Sequence, residues 1–142
     1  MAQVFKQDRY TPVSTQSEIY SDIFTNFDVH PDLGDIVRKK NEEAVKSAIQ
    51  NLIFTNKYER PFNPNFGSNI KKFLFEPMTP QTQTGLQEEI QNVIQNYEPR
   101  ANVINVIATP YIDENAYVVT ITFSVINNSN PITLNTILYR VR

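Results

Sequence analysis

Tyr117-Val118-Val119-Thr120-Ile121-Thr122-Phe123-Ser124-Val125 sets bulky residues at the odd positions against Val118, Thr120, Thr122 and Ser124 at the even ones. A strand turns successive side chains to opposite faces, so this period of two predicts a β-strand with one buried face. On its N-terminal side, residues 103–108 read as another strand and residues 110–115 as the intervening turn. On its C-terminal side, Asn127-Asn128-Ser129-Asn130-Pro131 reads as a turn. Residues 132–141 then form a third, more polar strand, with Ile132, Leu134 and Leu138 set against Thr133, Asn135 and Tyr139.

Before residue 100 the period is helical. Ala44, Val45, Ala48, Ile49, Leu52 and Ile53 share one face of a helix that Asn41 caps, with Glu42 and Glu43 at the positive end of its dipole. Thr79-Pro80 places a capping hydroxyl before a proline at the first helical position. Leu86, Ile90, Val93, Ile94 and Tyr97 form the stripe of that helix, which Pro99 stops. Between the two lies Arg60-Pro61-Phe62-Asn63-Pro64-Asn65-Phe66-Gly67, a loop stiffened by prolines and anchored by two aromatics. Ser68 is placed to cap a short helix carrying Ile70, Phe73 and Leu74, ended by Pro77.

Residues 1–35 are polar, with Phe5, Tyr10, Tyr20, Phe24 and Phe27 scattered and no helical period, and so read as an arm. Tyr20, Phe24 and Phe27 are expected to tuck onto the core or a neighbour. The order predicts an α+β fold: an N-terminal arm, then three helices packed on one face of a small antiparallel sheet with an open C-terminal edge strand. A single domain over 1–142 follows, with a helical part at 36–99 and a sheet part at 100–142.

Composition removes many functions. Without Cys there is no disulfide frame, thiolate nucleophile or Cys-ligated metal, and one histidine, His30, leaves little for imidazole chemistry. The three glycines, Gly34, Gly67 and Gly85, are too far apart for a phosphate loop. A formal charge of −2 offers no field for nucleic acid, and Arg38-Lys39-Lys40 reads as a solvated approach to a helix. No apolar stretch approaches a membrane span, and the first residues lack a signal-peptide core. Cofactor, metal and small-molecule ligand are expected to be absent.

Catalytic candidates are sparse. A glycosidase needs two facing carboxylates; Glu42, Glu43, Glu59, Glu76 and Glu98 are available, but Glu42 and Glu43 point to different helix faces. Ser14, Ser17 and Ser21 lie near His30 without a strand–turn–helix elbow.

Two features stand out. Glu98-Pro99-Arg100 sets opposite charges around a helix-stopping proline, either as a solvated ion pair or as a polar latch for a partner. The stretch Ile132-Thr133-Leu134-Asn135-Thr136-Ile137-Leu138 carries no charge to guard an edge strand, so it either aggregates or accepts another chain's strand.

The residues also resemble a known family. Asn41-Glu42-Glu43-Ala44-Val45-Lys46, Asn51-Leu52-Ile53-Phe54-Thr55, Glu59 to Gly67, Leu74-Phe75-Glu76-Pro77 and Glu98-Pro99-Arg100 are similar to the baseplate wedge, sheath-initiator proteins of contractile-tailed phages, which have a relative in the type VI secretion baseplate. The resemblance runs from about residue 34 to 126. It implies a structural virion protein of the tail baseplate, assembled in the host cytoplasm. Partners would be other wedge proteins in a helical bundle, tail sheath subunits, and the tail tube. Glu98, Pro99, Arg100, Arg60, Pro61, Phe62 and Phe66 would bind the wedge partners. Residues 132–138 would exchange strands with sheath subunits, because the family's C-terminal sheet is similar to the sheath's interlocking domain. The alternatives are a peptidoglycan hydrolase of the tail, since some family names carry a lysozyme label, and a type VI secretion component. One departure is Tyr58, where the family usually has a small residue, often Gly.

Overall fold

A computed structural model describes residues 19–23, 27, 29, 34–126 and 128–140. Phe5, Tyr10, Ser14, Ser17, Phe24, His30, Asn127, Val141 and Arg142 lie outside the described residues.

The elements are β1 (Ser21–Ile23), β2 (Arg38–Lys40), α1 (Asn41–Phe54), α2 (Ile70–Phe75), α3 (Pro80–Tyr97), β3 (Ala101–Tyr111), β4 (Ala116–Val125) and β5 (Asn128–Tyr139). β3, β4 and β5 form an antiparallel sheet in that order, so β4 is central and both β3 and β5 are edges. The expected buried face is observed: Tyr117, Val119, Ile121 and Phe123 are fully buried and Val125 nearly so. They meet Val45 and Ile49 of α1 and Leu86, Ile90 and Ile94 of α3 in one core. The Tyr117 hydroxyl enters that core with no hydrogen-bond partner among the described residues, and burial pushes its pKa up.

The strands are longer than their hydrophobic patterns. β3 runs through Pro110 and Tyr111 because they pair with Tyr117 and Ala116, leaving the turn to residues 112–115. β5 starts at Asn128, not after Pro131, because Asn128 pairs with Val125 across a bulge in the ladder. Asn128 also donates to Glu42 at 2.6 Å, fixing the start of β5 to the start of α1. At the other end, Arg140 donates to the Leu74 carbonyl at 3.1 Å and holds β5 to α2.

α3 begins as its sequence dictates, with the Thr79 hydroxyl accepting from the Thr82 N–H at 3.2 Å and Pro80 in the first turn. The other two caps are corrected. Asn41 does not cap α1: its φ is +47°, and its side-chain carbonyl accepts from Ile19 N–H at 3.0 Å and Tyr20 N–H at 3.3 Å. Ser68 does not cap α2 either; it is buried and donates to the Ile53 carbonyl at 2.9 Å, closing the loop onto the end of α1. Gly67 makes that closure possible, since φ is +117° and a Cβ there would lie 2.6 Å from the Thr55 carbonyl oxygen.

Part of the arm folds back. β1 pairs antiparallel with β2, a small ribbon that the sequence pattern does not announce. Tyr20 packs against the core, whereas Phe27 is exposed.

Candidate assembly surfaces

The loop after α1 and the end of α3 meet in one groove. Phe66 stands edge-on to Tyr97 with ring centres 5.3 Å apart, and the Tyr97 hydroxyl donates to the Asn65 carbonyl. The Arg60 guanidinium lies over the Phe66 ring, 4.1 Å from its centroid. Only one of the two aromatics anchors the loop. Phe62 is 102% exposed and Pro61 is exposed beside it, so both project to solvent.

Glu98 closes the groove, held in place by Arg100. α3 ends at Tyr97, and Pro99 turns the chain so that Arg100 faces back to Glu98. The guanidinium donates from Nε to Oε1 at 2.6 Å and from Nη2 to Oε2 at 2.7 Å, a bidentate pair. Glu98 is only 6% exposed, so the solvated pair allowed by sequence is not what forms. That hydrogen bonding to Glu98 raises the Arg100 pKa above its ordinary value. The same guanidinium stands 5.5 Å from the centre of the Tyr20 ring and 3.9 Å from the Asp22 carboxylate, linking the helix end to the folded-back arm. Asp22, Ser47, Asn51, Arg60, Tyr97 and Glu98 are among the walls of a groove of about 400 Å³. The structure thus brings Arg60, Phe66 and Glu98 together, with Arg100 bonded to Glu98, and leaves Pro61 and Phe62 outside.

Glu59 serves the loop. Its carboxylate accepts from the backbone N–H and side-chain amide of Asn56, at 2.8 and 3.1 Å, and these bonds hold its pKa below the ordinary value. Among the described residues no cluster of His, Cys, Asp and Glu could hold a metal, and no helix is long and apolar enough to cross a membrane.

The second surface is the flank of β5. The Arg140 N–H donates to the Asn115 carbonyl, which makes that pair hydrogen-bonded and fixes the alternation along the ladder. Ile132, Leu134, Thr136 and Leu138 therefore turn their backbone groups to β4. Thr133, Asn135, Ile137 and Tyr139 turn theirs to the free side, with side chains on the exposed face. Pro131 falls in the outward set, where a missing N–H removes no ladder bond. None of the residues in the three strands is charged.

The edge at β3 was missed by sequence reasoning, and it is guarded. By the same alternation Val106, Ala108 and Pro110 face outward there, but Gln83 of α3 donates to the Ala108 carbonyl at 2.7 Å and Pro110 has no N–H. A register shift between Val103 and Asn105 breaks the rest.

A Geobacter sulfurreducens protein, provisionally named a tail lysozyme, superposes with a TM-score of 0.70 at 23% identity over 75% of this chain and 97% of that one. A chain of the anti-feeding prophage baseplate gives a TM-score of 0.60 at 23% identity, covering 87% of this chain and 86% of its own. By sequence, 98 residues are 37% identical to "Baseplate wedge protein gp25" of Enterobacteria phage T4, covering 69% of this chain and 74% of that protein. Residues 39–130, from β2 to the first residues of β5, match the family described as baseplate wedge protein gp25, and the chain belongs to that family.

Proposed function

We propose that this baseplate wedge protein, a component of a contractile phage tail, acts without catalysis by joining two kinds of partner. The family membership over residues 39–130 supports the baseplate role, with other baseplate subunits as partners. The groove bounded by Arg60, Phe66 and Glu98 is the surface for helices of other wedge subunits, and Phe62, outside the groove but fully exposed on the same loop as Arg60 and Phe66, is a further side chain for them to cover. The flank of β5 is the template on which sheath subunits begin to polymerise by strand exchange, at the baseplate end of the tail tube. What supports this is the asymmetry of the edges: outward backbone groups recur along β5, while on β3 the Ala108 carbonyl is taken by Gln83, Pro110 lacks an N–H and the register shifts between Val103 and Asn105.

A hydrolase is disfavoured by the state of its candidate acids. Both Glu98 oxygens accept from Arg100, and Glu59 is held by Asn56 with its pKa lowered, the reverse of what a general acid needs.

The test of the template uses the outward set. Asn135→Pro removes an N–H that makes no ladder bond, so the monomer should fold and enter baseplates, which should then carry tubes without sheath. Full-length sheath on such particles would refute the template. For the exposed loop beside the groove, Phe62→Ala should leave the unfolding midpoint unchanged and lower recovery of the subunit in assembled baseplates; normal recovery would reject Phe62 as a contact.

A further inference from the structure

We infer that an apolar hollow beside the end of β5 is a socket for one large apolar side chain of an added strand, so that this edge selects its partner by side chain as well as by backbone. The inference rests on strand addition at β5. The hollow, of about 230 Å³, is walled by Ile53 and Phe54 at the end of α1, Ile70 and Leu74 of α2, and Leu138 and Tyr139 of β5. Ile137 borders it too. Consecutive strand residues point to opposite faces, so a hollow touching three in a row lies along the flank of the strand. No β4 residue lines it, which places it on the free side.

The backbone fixes the kind of occupant. Thr133, Asn135, Ile137 and Tyr139 present donors and acceptors at the spacing that an extended chain matches and a helix does not. In a chain laid against β5, the residue beside Leu138 carries its side chain to the helix-facing side, as Leu138 does, and that side chain enters the hollow. The walls are mostly aliphatic and aromatic, with Lys71 their one charged residue. Phe54, 51% exposed, is the wall such a side chain would cover. Leucine or phenylalanine gains from burial there and serine does not.

The chain has no cysteine, which permits a clean test. Asn135→Cys places one thiol in the outward set, where synthetic peptides X-Thr-Thr-Cys-Thr-Thr-X, supplied as mixed disulfides with a small thiol that leaves on exchange, can be captured and weighed by mass spectrometry. Either strand direction then sets an X residue beside Leu138. With X as Leu, capture under competing reductant should exceed that with X as Ser by about tenfold, and a second change, Phe54→Ser, should abolish the preference. Equal capture of both peptides, with amide exchange slowed at Ile137 and Tyr139, would overturn the socket and leave strand addition standing. No slowing at those amides by either peptide, compared with a version carrying proline for each threonine, would overturn strand addition and the socket with it.

Discussion

Tyr58 holds a φ of +68°, in the left-handed region, with its side chain 79% exposed. An L side chain there costs about 1–2 kcal/mol, and a glycine would return part of that gain through its freer unfolded chain. A residue without a Cβ would adopt this backbone without that cost. Tyr58→Gly should raise stability by about 0.5–1 kcal/mol, read as a higher urea midpoint at constant slope. Tyr117 offers the complementary case. Its unpartnered hydroxyl sits in the core, so Tyr117→Phe should also stabilise, by about 1 kcal/mol in the same titration.

Among the elements, those specified by neighbours in sequence were readable and those specified by distant contacts were not. α3 carries its start signal at Thr79-Pro80, its stripe and its stop at Pro99 within one stretch of chain, and all three hold. β4 likewise declares its buried face by alternation alone. Asn41 and Ser68 carry the same cap chemistry as Thr79, but backbone groups of Ile19 and Ile53, 22 and 15 residues away, claim their side chains. β5 outran its hydrophobic pattern because pairing with β4, not its own composition, sets its length. The site was legible as two separate motifs. Their meeting was not, because it is the contacts of Tyr97 with Phe66 and the Asn65 carbonyl, more than 30 residues away, that carry the loop to the helix end. Nor was the defence of β3 visible, since Gln83 belongs to a helix and looks like any surface polar residue. Removing it tests that role: Gln83→Ala exposes the Ala108 carbonyl and should increase self-association at high concentration, measured by sedimentation velocity.

For the molecule as a whole, Arg100 is the point where the helical part, the arm and the first residues of the sheet are fastened together. Arg100→Ala leaves the carboxylate of Glu98 buried without its bidentate partner, which should cost about 1–3 kcal/mol. Hydrogen exchange should then quicken first at Ser21–Ile23, while the amides of β4 keep their protection. The two fastenings differ in their exposure to ions. The Glu98 contact is short and shielded, whereas Asp22 is half exposed and 3.9 Å away, within reach of counterions. Brine should therefore loosen the arm while the α3 end stays closed, making the ribbon responsive to ionic strength in a chain whose core is indifferent to it.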